Sequence, residues 1–332
     1  MKNDRDDIRI SAVMPAYNCE KYISRALDSI LKQSRPADEI IVIDDGSTDR
    51  TGEIVQGYGD KVKYILQENT GAGAARNRGI EEASCEWIAF LDSDDEWLDD
   101  NLKLLTGVVG GNKNLVWAFG NFLNCDCDTQ TRKEAHDIQK AEIMLDEREY
   151  FNNFLDCFME GFHAWTGSII IRRDVFNDVG LFMLDQHRAE DTDMWLRIAY
   201  KYQQVGYAKE PMAIYHREVA GSLTKSYRNF HIISDMIDKH LKLSAESGHG
   251  EEFVLCGGHM LSVWIRDMLS AGHTEGLLET VKRYEDILGW RFKKEMWLRV
   301  KHPRIAPFCL GVTSCIKKCV RSVTKILRFN KG

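Results

Sequence analysis

Short apolar segments alternate with segments of helical periodicity over the first hundred residues of the chain. The apolar segments are rich in β-branched or aromatic side chains, which is typical of strands covered on both faces of a sheet. Between them, apolar residues recur three and four positions apart, which predicts helices. We therefore expect an α/β fold with βαβ crossovers and a mostly parallel sheet flanked by helices. The predicted strands are residues 9–14, 39–45, 62–66 and 87–91. The predicted helices are residues 21–33, residues 49–56 and a third helix that a glycine-rich loop at 69–79 opens and that runs through residue 82.

The pattern is less regular beyond residue 101. The predicted elements are strands at 115–119 and 166–173, helices at 147–159 and from 190, and an exposed polar loop at 124–139. From residue 230 onward the periodicity is helical throughout. We therefore expect an α/β domain over residues 1–229 and a helical C-terminal region over residues 230–332.

Several polar residues lie at or just after the predicted strand ends. In a parallel sheet these carboxyl ends meet at one edge, where ligands bind. A glycine-rich loop at residues 69–79 opens the helix after the third strand and brings an arginine to the same edge. We therefore expect one crevice lined by Tyr17, Asp45, Arg76, Asp92 and Asp94.

The fourth predicted strand ends in an acidic string, residues 92–95 (DSDD). Carboxylates this close repel one another unless they share a cation, and hard oxygen ligands suit Mg²⁺ or Mn²⁺. The alternative interpretation is a solvated acidic turn before a helix that begins at Trp97. Asp45 could accept hydrogen bonds from a nucleobase or ribose, and Arg76 could donate to a base or a phosphate.

The glycine-rich loop differs from two other nucleotide-binding motifs. Dinucleotide binding is a rival interpretation, but Arg76 stands where the third glycine of that motif belongs, and the loop follows the third strand. A P-loop is excluded because GxxxxGK[ST] does not occur in the sequence.

Charge and composition narrow the class of protein. The formal net charge of -7 argues against general nucleic-acid binding. Residues 1–7 lack the apolar core of a signal peptide, so export is not expected. The 9 cysteines are odd in number and scattered, which indicates reduced thiols in a cytoplasmic protein. The longest apolar stretch, residues 253–265, is shorter than the ~18–20 residues that span a bilayer and is expected to be a buried helix.

The C-terminal residues are strongly basic. Between residues 312 and 328, apolar positions follow helical spacing and lysines and arginines fill the other positions, which predicts a basic amphipathic helix. Aromatic and basic residues also cluster at 290–294 and 297–299. Two interpretations stay open: residues 290–330 contact an anionic membrane surface, or the helix docks on the rest of the protein with a solvated basic face.

Four motifs occur in the order found in the family-2 inverting glycosyltransferases, which have the GT-A fold, and the chain resembles that family from about residue 9 to about residue 224. The motifs are residues 11–18 (SAVMPAYN), 41–49 (IVIDDGSTD), 71–79 (GAGAARNRG) and 90–95 (FLDSDD). The resemblance implies a Rossmann-like GT-A domain that transfers a hexosyl or N-acetylhexosaminyl group from a nucleotide-sugar, and UDP-sugar is the expected donor.

The resemblance also implies roles for individual residues. Asp92, Ser93 and Asp94 correspond to the DxD motif that engages ribose and metal, so Mg²⁺ or Mn²⁺ is the expected cofactor. Asp191 corresponds to the general base, with Glu190 beside it on the acceptor side. The residues implied to line the nucleotide site are Pro15, Tyr17, Asp45 and Arg76.

One motif departs from the family pattern. Members commonly carry an arginine, a histidine and then Ser or Thr shortly after the helix of the base, whereas here His216 lies between Tyr215 and Arg217, and Ser222 follows later. His216 could bind the metal, contact the diphosphate or be structural, and these alternatives stay open.

The expected acceptor is a glycan or lipid-linked saccharide, in cell-surface polysaccharide synthesis on the cytoplasmic face of the membrane. A processive synthase is disfavoured, because the sequence has neither a membrane-spanning run nor the QxxRW signature of such enzymes. The competing hypothesis is a catalytically inactive nucleotide-sugar sensor.

Overall fold

A computed structural model describes residues 8–184, 186, 189–217, 230–270, 272 and 276–301 of the 332-residue chain. The amphipathic helix predicted at 312–328 and Ser222 lie outside the described residues. Among the residues described, no helix combines the length and the apolar character needed to cross a bilayer.

The first ninety residues form the parallel strands and helices that the sequence predicts. The elements are β1 (Ile10–Ala16), α1 (Ile23–Leu31), β2 (Glu39–Asp44), α2 (Thr51–Gln56), β3 (Lys63–Leu66), α3 (Ala72–Glu82) and β4 (Trp87–Phe90). Strand β1 pairs in parallel with β2 and β4, and β2 pairs in parallel with β3. Gly79 allows α3 to lie against β1, because a Cβ atom there would be 2.2 Å from Cγ1 of Val13. The four strands therefore end at one edge of the sheet.

The rest of the large sheet mixes strand directions. The next elements are β5 (Glu96–Trp97), α4 (Asn101–Gly111), β6 (Trp117–Gly120), β7 (Leu123–Asp126), β8 (Arg132–Glu134), α5 (Ile138–Leu145), β9 (Tyr150–Phe151), α6 (Phe154–Met159), β10 (Ile169–Arg172), α7 (Val175–Val179), α8 (Glu190–Lys201), β11 (Val205–Ala208) and β12 (Ala213–Arg217). The 8-stranded sheet has the order β3-β2-β1-β4-β10-β6-β11-β9. Strands β10 and β9 are antiparallel to their neighbours and the others share one direction, so the expected mostly parallel sheet is confirmed.

A second, 4-stranded sheet with the order β5-β12-β7-β8 corrects several sequence expectations. The exposed loop predicted at 124–139 is wrong, because β7 and β8 form an antiparallel hairpin there. The sequence signal is weak since β8 is exposed and only Cys125 of β7 is buried. The helix predicted at 147–159 is interrupted by β9, and α6 begins after Asn153, whose side chain accepts from the Leu155 N–H at 2.8 Å. After the acidic string, Trp97 belongs to a strand and the helix begins at Asn101.

The chain divides into two compact units, residues 1–227 with 238–250, and residues 228–237 with 251–332. The remaining helices are α9 (Phe230–Glu246), α10 (Gly250–Ser270), α11 (Leu277–Arg283) and α12 (Trp290–Lys301). Helix α9 therefore contributes residues to both units. Within the second unit, α10 buries Phe253, Leu261 and Ile265, which confirms the buried helix expected over residues 253–265.

Candidate functional site

Asp45, at the end of β2, holds the glycine-rich loop through hydrogen bonds. The side chain is buried, and Oδ1 accepts hydrogen bonds from Nε2 of Gln67 at 2.7 Å and from the Thr70 N–H at 3.0 Å. Oδ2 accepts from the Gly71 N–H at 2.7 Å. Gly71 precedes α3 with a φ of 97°, a backbone conformation that favours glycine. Asp45 thus shapes the loop that carries Arg76 into the crevice.

The end of β1 presents an exposed aromatic ring beside this loop. Pro15 is buried within β1, opposite Ile43 of β2, while Tyr17 is 51% exposed. Asn18 holds the turn, because its side chain accepts from the Thr48 N–H at 2.8 Å and its N–H donates to Oγ of Ser47 at 3.0 Å. A hydrogen-bonded turn thus joins the ends of β1 and β2 and leaves the Tyr17 ring open to solvent.

Arg76 joins the two acidic parts of the site. The guanidinium is buried, one terminal nitrogen donates to Oδ1 of Asp92 at 2.7 Å, and the other donates to Oε1 of Glu190 at 2.8 Å. The Phe182 ring lies 5.6 Å from the guanidinium carbon. Burial opposes the positive charge, but the carboxylates of Asp92 and Glu190 raise the pKa of Arg76 above its ordinary value. Arg76 therefore brings the end of β4 and the start of α8 together.

The acidic string after β4 is partly buried, which contradicts the interpretation as a solvated turn. Burial, and then the charge of Asp92, raises the pKa of Asp94 to about 6. Asp95 is 1% exposed, and burial followed by the charges of Asp94 and Asp92 raises its pKa well above the ordinary value. Oδ1 of Asp95 accepts from the His216 N–H at 2.8 Å, whereas Oδ2 meets no hydrogen-bond partner among the described residues. The string thus concentrates negative charge that its protein neighbours leave partly uncompensated.

His216 lies beside this string on β12. Burial, followed by the positive charges of Arg25 and Arg132, lowers the pKa of His216 to about 4, so the imidazole is neutral at pH 7. Its Nε2 is buried and has no hydrogen-bond partner within the described part of the chain. The same part of the chain contains no group of three or more His, Cys, Asp or Glu side chains that could hold a metal ion, so the predicted ligands Asp92, Asp94 and His216 are not assembled into such a cluster.

The start of α8 carries the predicted base. Burial, followed by the charge of Glu190, raises the pKa of Asp191 to about 6, the direction that a general base at neutral pH requires. Oδ1 of Asp191 accepts from the Thr192 N–H at 2.6 Å. Asp193 on the same turn is fully buried and bonded to cations, so it is unavailable to a substrate. Asp191 is thus the carboxylate of this turn that is suited to take a proton.

The sequence reasoning missed Arg25, which lies on α1. The guanidinium donates to the backbone carbonyl of Asp94 and lies 3.5 Å from Oε2 of Glu96. Its charge also lowers the pKa of His216. Because Arg25 occupies an ordinary polar position of an amphipathic helix, no motif or spacing in the sequence distinguishes it.

The family model for glycosyl transferase family 2 matches residues 11–180, just over half of the 332 residues. The chain belongs to this family. The match contains the four motifs identified in the sequence and ends before Glu190, so the assignment does not depend on the acceptor-side acids.

Several bacterial glycosyltransferases are similar in sequence to parts of this chain. It is 42% identical over 139 residues to an uncharacterized glycosyltransferase of Haemophilus influenzae, which covers 41% of this chain and 55% of that protein. It is 39% identical over 119 residues to the UDP-Glc:alpha-D-GlcNAc-diphosphoundecaprenol beta-1,3-glucosyltransferase WfgD of Escherichia coli, covering 35% and 47%. It is 43% identical over 98 residues to the putative teichuronic acid biosynthesis glycosyltransferase TuaG of Bacillus subtilis, covering 28% and 39%. The chain therefore spans between 39% and 55% of the length of these relatives.

A solved glycosyltransferase structure confirms the fold expected for a family-2 member. S. aureus TarS, residues 1–349 in complex with UDP-GlcNAc, superposes with a TM-score of 0.63 at 18% identity, over 89% of this chain and 92% of that one. At this level of identity the likeness establishes the GT-A fold alone.

Proposed function

We propose that this chain transfers a sugar from a UDP-sugar to a hydroxyl group of a glycan or lipid-linked saccharide, with inversion at the anomeric carbon. The observation that supports the proposal is the pair of ion pairs made by Arg76, with Asp92 after β4 and with Glu190, the residue before the predicted base. WfgD, whose name specifies a UDP-glucose donor and a diphosphoundecaprenol-linked acceptor, supports this choice of donor and acceptor. TuaG supports a role in cell-surface polysaccharide synthesis.

In the proposed reaction, Asp191 accepts the proton of the attacking acceptor hydroxyl. The oxygen forms a bond to the anomeric carbon as the bond from that carbon to the diphosphate breaks, and UDP leaves with the bonding electrons. A pKa raised to about 6 makes Asp191 a stronger base than an ordinary carboxylate while it stays mostly ionised at pH 7. Glu190, held by Arg76, keeps a negative charge beside the base. The inverting course follows if the base and the leaving group lie on opposite faces of the sugar.

The donor side of the site fits a divalent cation. The pKa of Asp94, raised to about 6 by burial and Asp92, indicates crowded negative charge that a cation would relieve. Mg²⁺ and Mn²⁺ are commonly held by one or two carboxylates together with substrate phosphates, which agrees with the absence of a three-residue cluster among the described residues. Asp92 and Asp94 would hold the ion together with the phosphates of the donor, without His216, because the three side chains are not assembled into a metal-binding cluster in the described part of the chain. A bound cation would neutralise the departing diphosphate.

A panel of nucleotide-sugars tests this proposal. Thermal unfolding with Mn²⁺ and UDP-glucose, UDP-GlcNAc, UDP-galactose or GDP-mannose should show stabilisation by a UDP-sugar, and chromatography should show its slow hydrolysis without acceptor. Stabilisation without hydrolysis, and without transfer to any lipid-linked or aryl-glycoside acceptor, would support the inactive-sensor hypothesis. A protein that none of the donors stabilises or reacts with would contradict both functions.

We also propose that the protein acts at the cytoplasmic surface of a membrane, with α12 as one contact. Trp290 and Trp297 are 67% and 50% exposed, and together with the exposed Lys294 and Lys301 they follow one face of α12. Aromatic and basic side chains on one helix face suit anionic headgroups.

Vesicle sedimentation tests the membrane contact. Trp290→Ser with Trp297→Ser should weaken binding to vesicles that contain phosphatidylglycerol, relative to the wild type. A matched control is Leu255→Ser with Val263→Ser, because these α10 side chains are 65% and 44% exposed. Equal binding by all three proteins, or a wild type that ignores anionic vesicles, would contradict the contact.

A further inference from the structure

Asp193 lies on the side of α8 away from the predicted base. It follows Asp191 by two residues, which places it about 200° further round the helix axis. The side chain is 0% exposed, yet Oδ2 accepts from Nε of Arg197 at 2.9 Å and Oδ1 lies 3.1 Å from Nε2 of His240. Oδ1 also accepts from Nζ of Lys239. Such a buried carboxylate is stable only when its charge is compensated, and here the cations of Arg197 and Lys239 compensate it while His240 adds a hydrogen bond.

These contacts fix α8 to the C-terminal half of α9. His240 is 0% exposed, and its second ring nitrogen, Nδ1, lies 2.9 Å from the Tyr200 hydroxyl of α8. Asp193 and Tyr200 therefore hold both nitrogens of one buried imidazole. The axial and rotational position of α8 is set by this pair of contacts, one near each end of the helix.

Arg197 extends the network to the donor side. Its terminal nitrogens donate to the backbone carbonyls of residues 179–181, at 2.5 Å, 3.4 Å and 2.9 Å in chain order. The next residue, Phe182, exchanges two hydrogen bonds of 2.8 Å with the side-chain amide of Asn77 and packs its ring near Arg76. The buried network thus reaches the arginine that binds Glu190.

The first turn of α8 depends on these ion pairs. Ala189, at the N-cap position with a φ of 56°, has no side-chain acceptor for the free N–H groups of the helix, and only the Thr192 N–H among them is described as bonded to a side chain, that of Asp191. Arg76 holds Glu190 from the crevice side, and Asp193 is held from the interior. Asp191 lies between these two fixed points.

We propose that Asp193 is a positioning residue, which through Arg197, Lys239 and His240 fixes the first turn of α8 and thereby the direction of the Asp191 carboxylate toward the acceptor hydroxyl. This inference rests on the proposed transfer reaction. Asp193 does not contact substrate, because its oxygens are buried and already accept hydrogen bonds from protein cations.

The test compares two variants, each of which removes a lysine from its ion pair with a different aspartate. Lys239→Met removes one partner of Asp193, whereas the control Lys201→Met removes the partner of the half-exposed Asp178, 2.6 Å away at the end of α8. The measurement is the ratio of sugar transfer to donor hydrolysis, for the donor and acceptor that react in the panel. Partial unfolding lowers both rates equally and leaves this ratio unchanged. A misplaced base slows attack by the large acceptor more than attack by water.

We expect the ratio to fall by about threefold or more in Lys239→Met and by about tenfold or more in Asp193→Asn, with UDP affinity within about twofold of the wild type. Lys201→Met should keep the wild-type ratio. If Asp193→Asn does not fold, the result with Lys239→Met decides, because Asp193 keeps the ion pair with Arg197 and the hydrogen bond with His240 in that variant. If the wild type transfers sugar and the Asp193 and Lys239 variants keep its ratio, this inference is overturned and the proposed function is not. A wild type without transfer or hydrolysis overturns the proposed function as well.

Discussion

The site contains two acidic strings, residues 92–95 after β4 and residues 190–193 at the start of α8. Each string has one carboxylate that is bound to Arg76, one whose pKa is raised to about 6, and one that is buried. The strings differ in the surroundings of the buried acid. Asp95 receives a single backbone N–H and keeps an oxygen without a partner among the described residues, whereas Asp193 is surrounded by basic side chains.

The two strings therefore differ in how far protein cations compensate their negative charge. At Asp95, burial and the neighbouring acids disfavour a further negative charge. The proposed cation, arriving with a diphosphate, would relieve this crowding. Near Asp193, the protein itself supplies the cations. Hydrogen bonds from His240 and the charges of Arg197 and Lys239 overcome the cost of burial and lower the pKa of Asp193. The proposed cation is therefore expected at the first string, whereas the second string has its compensating charges within the protein and carries the proposed base, Asp191.

The largest expected effect comes from removing the base. Asp191→Asn is nearly isosteric, so donor affinity should persist while turnover falls roughly 10²–10⁴-fold. The measurements are steady-state transfer and calorimetric binding of UDP. If turnover survives, Glu190 becomes the candidate base, because Asp193 is buried and hydrogen-bonded to Arg197.

A smaller effect is expected at the string where we propose that a cation binds. Asp94→Ala should reduce Mn²⁺-dependent affinity for UDP at least about tenfold, or about 1.4 kcal/mol, because the remaining acid cannot complete the coordination. Calorimetry with and without Mn²⁺ measures the effect, and Asp191→Asn is the matched acidic control. Equal affinities of Asp94→Ala and the wild type in Mn²⁺ would contradict the metal assignment.

A pH profile should show the raised pKa of the base directly. At saturating donor, kcat/KM for the acceptor should fall as pH decreases through about 6, because Asp191 becomes protonated there. Glu190→Gln removes the negative charge that helps to raise this pKa, so the acidic limb should move to lower pH. An acidic limb at the same pH in both proteins would mean that Asp191 does not determine it.

The sequence predicted the donor side of the fold more completely than the acceptor side. The continuous apolar strands β1, β2 and β4 fix the edge where Asp45 and Asp92 must emerge, since parallel strands end together. The motifs also located Arg76, Asp92 and Glu190, but the two hydrogen bonds that join them span 16 and 114 residues of the chain and could not be predicted from the sequence.

The hairpin of β7 and β8 and the role of Asp193 could not be predicted for different reasons. The hairpin lacks an apolar pattern because most of its side chains are exposed. Asp193 looked like an ordinary acid in the first turn of a helix, where the dipole favours negative charge. Its partners on α9 lie 46 and 47 residues further along the chain, so only tertiary packing reveals them.

The smallest expected effect is the one at Asp95, and it distinguishes this buried acid from Asp193. Asp95→Asn retains an oxygen that can accept the His216 N–H and removes a poorly compensated buried carboxyl, so the free energy of unfolding at pH 7 should change by less than about 1 kcal/mol. The same change at Asp193 leaves Arg197 and Lys239 without their counter-charge and should cost about 3–5 kcal/mol.

The contributions of Asp95 and Asp193 to stability depend on pH with opposite signs. Asp95 has a raised pKa in the folded state, so wild-type stability decreases as pH rises through that pKa, and Asp95→Asn should gain on the wild type in the same direction. Asp193 has a lowered pKa, so its contribution is present above its ordinary value of 3.8 and is lost as pH falls. Urea unfolding between about pH 3 and 8 measures both variants, because the contribution of Asp193 changes only below its ordinary value of 3.8. Equal losses at the two positions would show that the strings do not differ in compensation.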